Sequence, residues 1–292
     1  MDTSPLIDKK GPALSAQRFR MLEDIARELQ GEIVFPICFD VAIRLREMID
    51  DETKPLEQIV RLVMLDPLIS ARLLRMANAP TARAGRDEIR DVRSAIARLG
   101  LKTVRTTAMA IAIKQLLRSR DMVDFTELAH NLWVHSILTA SAACIVAREL
   151  TRFNPDEAMF AGLVHDLGAF YMLYRAAQYP ELRARPDTVK HLVAQWHESI
   201  GVSLLEAISV PPAIVDAVRD HDVLRTLPAS PRTLNDVVYI SNLLAGGGFE
   251  YLHQDVDPAA LRAHEPPERF QALLPAIQEH SRELRAVLEP TG

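Results

Sequence analysis

NPDEAMFAGLVHDLGAFYMLY, residues 154–174, is the stretch that decides the fold. Asn154 can cap a helix, Pro155 suits its first position, and two carboxylates follow where the positive end of the helix dipole stabilises them. Apolar residues then recur with a helical rather than an alternating period. We therefore predict one helix over the whole stretch, with an apolar face formed by Met159, Phe160, Leu163, Val164, Leu167, Phe170 and Tyr171.

His165 and Asp166 are the polar groups on the other face of this helix, where they lie among the small residues Ala158, Gly162 and Ala169. Small residues allow another backbone or a ligand to approach closely. An adjacent imidazole and carboxylate can bind a metal ion, although such a pair is more often a buried hydrogen-bonded pair between helices. The choice between these two roles depends on the histidines elsewhere in the chain.

The composition favours a helical, intracellular protein. Of 292 residues, 48% are hydrophobic and only 11 are glycine, which suits helices and suffices for one large or two ordinary cores. Cys38 and Cys144 have no paired spacing, as in a reducing cytosol. The first residues lack a signal-like apolar segment, and the most apolar run, residues 132–147, is too short to span a bilayer. We expect a cytoplasmic protein without membrane contact.

The net charge of −5 is unevenly distributed. Residues 71–120, called the basic stretch below, contain twelve Lys or Arg and three acidic residues, so this stretch carries +9. Such a stretch is typical of a surface that binds an acidic or phosphate-bearing partner, and it is equally typical of a solvated helix surface rich in arginine. The candidate partner-binding residues are Arg72, Arg75, Arg98, Lys102 and Arg105.

Helical periodicity, caps and glycines predict further helices on both sides of the central stretch. We place them at about residues 16–29, 39–49, 55–65, 67–78, 91–99, 102–117, 127–150, 187–208, 211–222 and 234–245, with one or two more in the tail 257–292. Residues 1–14 are expected to be disordered and residues 180–186 to form a loop. A break is expected near Gly201.

The segment SAIARLGLKTVRTTA, residues 94–108, has the outline of a helix-turn-helix motif. Its second helix continues into AMAIAI, which is apolar on nearly every side and therefore predicted to be buried. The start of that helix offers no Asn or Gln to read base edges, although Lys102 and Arg105 could contact phosphates. Nucleic-acid binding is therefore disfavoured and is kept as a second alternative.

Three more histidines, His135, His197 and His221, lie on helices predicted before and after the central stretch. A series of His, His-Asp, His and His on successive helices resembles the HD superfamily of metal-dependent phosphohydrolases. Imidazoles and carboxylates bind borderline divalent ions, and such an ion lowers the pKa of an attacking water. The resemblance implies the residual metal candidates His135, His165, Asp166, His197 and His221.

More specifically, the chain resembles the HDOD domain (HD-related output domain), the bacterial signalling branch of that superfamily. The matching stretches follow the family's order: FPICFDVAIRLREMI, DPLISARLLRMAN, VRSAIARLGLKTVRT, LWVHSILTASAACIVA, FAGLVHDLGAF and WHESIGVSLLEAISVPPAIVDAVRDHD. The resemblance implies an all-α, multi-helix HD-like bundle. We divide the chain into an N-terminal extension (1–30), an HDOD-like domain (31–250, with subdomains of about 31–120 and 125–250) and a helical C-terminal tail (251–292).

The motifs depart from those of catalytic relatives at three positions. Ala169 follows HDLG where those relatives usually carry Lys, and Asn242 takes the place of a late metal-binding Asp. His221 is followed by Asp222 where HD-GYP phosphodiesterases usually have a second His. These departures favour a hydrogen-bonded scaffold without a catalytic residue or cofactor. The alternative is a working centre that holds iron or manganese.

The resemblance implies a non-catalytic signalling output or adaptor module that acts through a protein partner, in settings such as cyclic-dinucleotide circuits. The alternative function is a metal-dependent phosphohydrolase or phosphodiesterase that uses the His and Asp cluster. A nucleic-acid-binding regulator that uses the basic stretch is the second alternative. The identity of the partner and the oligomeric state are left open by the sequence.

Overall fold

The structure, a computed structural model, describes residues 12–30, 39–83, 87–117, 120–208, 210–247 and 266–288. Within these ranges the regular elements are helices and no strand occurs, so the predicted all-α fold is confirmed. The helices are α1 (Pro12–Gln30), α2 (Asp40–Asp50), α3 (Leu56–Met64), α4 (Pro67–Asn78), α5 (Pro80–Arg83), α6 (Val92–Leu99), α7 (Leu101–Leu117), a 3-10 turn (Arg120–Phe125), α8 (Thr126–Leu150), α9 (Pro155–Val164), α10 (Leu167–Ala176), α11 (Pro180–Arg183), α12 (Pro186–Ala207), α13 (Pro212–Val218), α14 (Leu234–Leu244), α15 (Glu268–Gln271) and α16 (Leu274–Leu288).

The helix starts follow the capping signals of the sequence. The Asp66 side chain accepts hydrogen bonds from the first backbone N–H groups of α4, and the Asn154 side chain does the same for α9. Asp91 caps α6, which ends at Gly100 with a φ of +81°, a conformation that glycine adopts without strain. These boundaries are set by local chemistry, and the sequence therefore predicts them to within about two residues.

Five local predictions were wrong. The helix expected over residues 211–222 ends at Val218, because the backbone is extended at Arg219 (φ −68°, ψ +144°). The central stretch is two helices, α9 and α10, because the chain leaves the helical conformation at Asp166 (φ −100°, ψ +19°). No break occurs at Gly201, which lies inside the continuous helix α12. The expected loop after residue 180 contains the short helix α11. Finally, α1 begins at Pro12 and buries Leu14, so residues 12–14 are ordered; residues 1–11 lie outside the described ranges.

Helix α8 is the core helix of the molecule. It packs on α9, α14 and α16, and most of its side chains are buried. Together with the 3-10 turn it forms a segment, Met122–Leu150, whose 29 residues and mean hydropathy of 1.2 are sufficient to cross a membrane, the one such segment among the described residues. Because 78% of its apolar window is buried inside the protein, the apolarity is that of a core helix. Cytoplasmic location stays a prediction.

The main hydrophobic cluster contains side chains from α1 to α16, including Leu45 of α2, Phe160 of α9 and Leu205 of α12. A smaller cluster joins α8 and α14 to the C-terminal helices through Phe270 and Ile277. The main cluster therefore includes residues on both sides of the boundary that we expected near residues 120–125. The division into subdomains, and the limits of the N-terminal and C-terminal segments, stay predictions.

Candidate metal centre

The five residues proposed from the sequence as metal candidates come from separate elements and meet in the core. His135 lies on α8, His165 and Asp166 form the break between α9 and α10, His197 lies on α12, and His221 follows α13. All five are buried, with 1–2% of their surface exposed. We call this group, His135, His165, Asp166, His197 and His221, the His–Asp centre.

The helix break and a close helix crossing bring these groups together. At the break, His165 keeps helical backbone angles and the chain leaves the helical conformation at Asp166. Gly168, two residues later, lies against the backbone of α12: a Cβ at this position would be 2.0 Å from the carbonyl oxygen of His197 and 2.5 Å from the nitrogen of Gly201. Only a residue without a side chain permits this contact, so the glycine fixes the separation between Asp166 and His197.

One half of the centre is formed by His135, His165 and the Oδ2 atom of Asp166. The Nε2 atoms of the two histidines are 3.1 Å apart. Asp166 Oδ2 lies 3.3 Å from His165 Nε2 and 3.8 Å from His135 Nε2. The Thr139 hydroxyl lies 3.4 Å from His135 Nε2. Two imidazoles and one carboxylate oxygen thus face the same space.

The other half is formed around Asp166 Oδ1. The Nε2 atoms of His197 and His221 are 3.3 Å apart, and Asp166 Oδ1 lies 3.5 Å and 3.2 Å from them, respectively. Asp222 adds a second carboxylate, with its Oδ2 atom 3.2 Å from His197 Nε2. Asp166 therefore faces both halves, one oxygen to each.

The outer ring nitrogens of three histidines are held by backbone carbonyls. The Nδ1–H groups of His165, His197 and His221 donate to the carbonyl oxygens of Gly162, Val193 and Val218, each at 2.8 Å. With the proton on Nδ1, the Nε2 atom of a neutral imidazole carries a lone pair, and here that lone pair points into the centre. The Nδ1 atom of His135 is buried without a hydrogen-bond partner among the described residues.

Burial and the neighbouring carboxylates shift the pKa values of the histidines in opposite directions. Burial lowers the pKa of His165 to about 3, so this imidazole is neutral. Burial also acts to lower the pKa of His221, but Asp222 and Asp166 outweigh it and raise that pKa to about 10. The pKa of His197 is raised as well, since hydrogen bonding to Asp222 and the charge of Asp166 outweigh its burial.

The two carboxyls stay ionised. Burial acts to raise the pKa of Asp166, but the surrounding histidines outweigh that effect and hold it well below its usual value. The pKa of Asp222 is likewise lowered, because His221 and His197 outweigh the effect of burial. In the absence of a metal ion, a proton on His221, whose pKa is raised to about 10, therefore balances part of this negative charge.

This donor set fits a divalent metal ion. The candidate ligand atoms of each group, His135–His165–Asp166 and Asp166–His197–His221, lie within 4.8 Å of one another. Neutral imidazoles and carboxylates are the ligands that iron, manganese and zinc accept in proteins. Nε2 lone pairs and carboxylate oxygens repel one another at these distances unless a cation lies between them, whether a proton or a metal ion.

Asp222 is a residue that sequence reasoning missed, because it was noted only as a departure from a His-His pair. The signal was a second His-Asp dipeptide, 221–222, after the one at 165–166. Asn242, noted as a replacement for a metal-binding Asp, is 1% exposed. Its Nδ2 group donates to Asp222 Oδ1 at 2.8 Å and to the His221 carbonyl at 3.0 Å.

Arg105, one of the candidate partner-binding residues, is not available at the surface. It is 7% exposed, its Nη1 group lies 3.2 Å from Asp50 Oδ1, and its guanidinium lies over the Phe160 ring, 4.6 Å from the centroid. Arg105 therefore joins α2, α7 and α9, which is a structural role.

The other candidates of the basic stretch are spread over three helices. Arg98 donates to the backbone carbonyls of residues 77 and 87, and Lys102 pairs with Glu157 at 2.6 Å. Arg75 is exposed and donates to the carbonyl oxygen of residue 286 in α16, while Arg72 is half-buried on α4. These contacts leave the docking role of the stretch a prediction.

Solved structures with the same fold include three from bacteria. A protein from Shewanella amazonensis SB2B, provisionally described as a metal-dependent phosphohydrolase, is 23% identical, and the match covers 94% of this chain and 100% of that one with a TM-score of 0.68. An HDOD domain protein of unknown function from Geobacter sulfurreducens is 18% identical over 94% and 99% of the chains, with a TM-score of 0.57. A provisionally described signal transduction protein from Marinobacter aquaeolei VT8 is 17% identical over 94% and 66%, with a TM-score of 0.54.

At these identities the similarity establishes the fold alone. No curated protein matches the chain at a significant level. The profile of the HDOD domain, however, matches residues 35–224, which is more than half of the chain and includes the whole His–Asp centre. This protein therefore belongs to the HDOD family.

Proposed function

We propose that this chain is a signal-transduction output domain whose His–Asp centre binds a divalent metal ion. One observation carries the proposal: the centre turns imidazole Nε2 atoms and carboxylate oxygens to its interior, while the Nδ1–H groups of three histidines donate outward to carbonyls. Without a metal ion the carboxylates need protons on these Nε2 atoms to balance their charge, and a divalent cation can replace those protons. We therefore favour the alternative with a metal ion over the expectation of no cofactor.

Two positions for an ion share Asp166. His135 and His165 with Asp166 Oδ2 would hold one, and His197 and His221 with Asp166 Oδ1 would hold the other. A bound ion would supply Lewis acidity, and it would replace the protons that balance the carboxylates in the metal-free protein. It would also hold α8, α10, α12 and the end of α13 together, because each contributes or adjoins a ligand.

The output is proposed to be contact with a protein partner. Metal binding stabilises whatever arrangement of helices it favours, by an amount set by the affinity and the concentration of the ion. Loading of the centre could thus be transmitted to the surface through the positions of α8 and α12. Of the five candidate partner-binding residues, Arg75 is the one classed as exposed, and we propose it for contact with an acidic partner.

Elemental analysis of natively purified protein tests the metal proposal. We expect about one to two equivalents of manganese, iron or zinc in the wild type, given the two groups that share Asp166, and loss of the metal in Asp166→Asn. The matched control is Asp156→Asn, which removes a carboxylate from the first turn of α9, away from the centre. A wild-type protein that remains metal-free after dialysis against manganese would refute the proposal.

Metal-dependent phosphohydrolysis is the second candidate function. The observation that favours it is that the Asp222 side chain is 20% exposed, whereas those of the five centre residues are 0–3% exposed. The centre therefore reaches solvent beside Asp222, where a substrate could enter. Turnover of a phosphodiester with added manganese, abolished by His165→Ala, would establish this activity, and its absence in metal-loaded protein would exclude it.

A further inference from the structure

We infer that Asp222 is an additional metal ligand and that Asn242 is the positioning residue that holds it. This inference rests on the proposed function. Catalytic relatives are expected to carry a metal-binding Asp on the late helix α14, where this chain has Asn242. In this chain the carboxylate comes instead from Asp222, and the Asn242 amide orients it.

The geometry around Asp222 supports the role of a ligand. Its Oδ2 atom lies 3.2 Å from His197 Nε2 and its Oδ1 atom lies 3.9 Å from His221 Nε2. Asp222 is thus in contact with the same two imidazoles that face Asp166 Oδ1. An ion held by His197, His221 and Asp166 would have the Asp222 carboxylate at its solvent side.

The hydrogen bonds of Asn242 fix the direction of the Asp222 carboxylate. Both amide hydrogens have acceptors, the carbonyl oxygen of His221 and Oδ1 of Asp222, so the orientation of the amide is determined by its partners. With Oδ1 engaged by Asn242, the other oxygen, Oδ2, points to His197. The Oδ1 atom of Asn242 is buried and has no partner in the described part of the chain, so the residue is retained for its donor group.

A carboxylate at both positions would be unfavourable. Aspartate at position 242 would place an oxygen 2.8 Å from Asp222 Oδ1, and two buried like charges at that distance cannot both ionise. Asp236, the other acid of α14, is not an alternative ligand, because it caps the helix and accepts from the backbone N–H of Thr233. This part of the centre therefore has one carboxylate, that of Asp222, and one neutral hydrogen-bond donor, the amide of Asn242.

The extra carboxylate also affects which ions the centre prefers. His197 and His221 with two carboxylates form a harder donor set than His135 and His165 with one. Hard oxygen ligands favour manganese and iron(II), whereas sites richer in nitrogen and sulfur ligands favour zinc. We expect removal of the Asp222 charge to weaken manganese binding more than zinc binding.

Asp222→Asn, Asn242→Asp and the double variant test both roles, with Asp220→Asn as the matched control, since Asp220 is exposed and its contact to Glu198 uses only its backbone. Metal is removed, Mn²⁺ is titrated by calorimetry, and melting of the metal-free proteins is recorded in parallel. We expect Asp222→Asn to weaken Mn²⁺ binding by at least about ten-fold, and Asn242→Asp to lower the metal-free Tm.

The double variant is the decisive member of the set. The amide that it introduces at position 222 could donate to the carboxylate that it introduces at position 242. Because this hydrogen bond replaces the repulsion between two carboxylates, we expect its metal-free Tm to lie above that of Asn242→Asp. Because the variant keeps one carboxylate beside His221, we expect its Mn²⁺ affinity to lie above that of Asp222→Asn. Wild-type affinity in Asp222→Asn, in a protein that binds Mn²⁺, would overturn the inference and leave the proposed function intact. A wild type that binds no Mn²⁺ would overturn both.

Discussion

The His–Asp centre and the basic stretch differ in how their charges are satisfied. The centre gathers groups from distant parts of the chain into one buried space, as two sets of three that share Asp166, and the ligand atoms within each set lie within 4.8 Å of one another. The basic stretch is contiguous in sequence, yet Arg98, Lys102 and Arg105 contact carbonyls and carboxylates in separate parts of their own chain. In this fold, charged residues that are close in sequence do not form one site, whereas buried polar groups from distant parts of the chain lie together in space.

The energetic consequences differ as well. In the centre, acceptors face acceptors, so the arrangement requires an external cation or bound protons. In the basic stretch, Arg105 and Lys102 already have carboxylate partners, Asp50 and Glu157. We propose that the first region is organised for a metal ion, whereas the contacts of Arg105 and Lys102 in the second contribute to stability. The predictions that follow test this contrast, from the largest expected effect to the smallest.

Gly168→Ala should have the largest effect. A Cβ here would lie 2.0 Å from the carbonyl oxygen of His197, so α10 and α12 would have to separate, at a cost of about 3 kcal/mol or more. The free energy of unfolding in urea and the metal content of the purified protein should both fall. Gly100→Ala is the control, since no described atom lies within 4 Å of its Cβ and only backbone strain is expected, about 1–3 kcal/mol at φ +81° and ψ +155°. Equal losses in the two variants would contradict the close crossing.

Arg105→Met should reduce stability by about 2 kcal/mol, because it leaves Asp50 with one partner fewer and removes a buried guanidinium from the Phe160 ring. The measurement is the free energy of unfolding in urea. Metal content should be unchanged, which separates this residue from the centre. If Arg105→Met were as stable as the wild type but no longer bound a protein partner, Arg105 would instead be a docking residue.

Metal affinity should rise with pH. His221 has its pKa raised from 6.5 to about 10, so at neutral pH a bound ion must displace a proton from it, and the affinity should increase about ten-fold per pH unit. Conversely, the stability that this protonated His221 contributes is complete below pH 6.5 and is lost as the pH rises through about 10. The difference between the Tm measured with Mn²⁺ and the Tm measured with EDTA should thus grow with increasing pH. A difference that does not change with pH would contradict the displacement of a proton.

Lys102→Ala should have the smallest effect. The Lys102–Glu157 pair is exposed, with 42% and 43% of the two side chains accessible, and such pairs contribute below about 1 kcal/mol. The free energy of unfolding should fall by less than in Arg105→Met, and the salt dependence of the small loss should be visible. A loss as large as that of Arg105→Met would show that the exposed part of the basic stretch is also structural.

Most of the fold could be predicted from the sequence because helix boundaries depend on local chemistry. Asp66, Asp91, Asn154 and Gly100 each lie where capping requires them. The break at Asp166 could not be predicted, since the apolar period of the central stretch continues through it. Gly201 suggested a break, but its missing side chain serves the packing of α12 on Gly168 and leaves the helix intact.

The site was partly predictable for a different reason. Four histidines and Asp166 were identified from residue type and order, but neither their convergence nor the role of Asp222 follows from spacing, because both depend on tertiary contacts. Arg105 shows how a basic stretch in the sequence fails to reveal burial. A long charged side chain in a basic stretch suggests a surface, whereas here its guanidinium pairs with Asp50 beneath that surface.

Anomalous diffraction from crystals grown with Mn²⁺, recorded at the manganese absorption edge, tests the central claim most directly. We predict an anomalous peak bounded by the Nε2 atoms of His197 and His221 and by Asp166 and Asp222, with a second peak expected beside His135 and His165. Crystals of Asp166→Asn should lack both peaks. A wild-type structure in which the imidazoles keep their present positions and no anomalous peak lies between them would contradict the claim that this centre binds a metal ion.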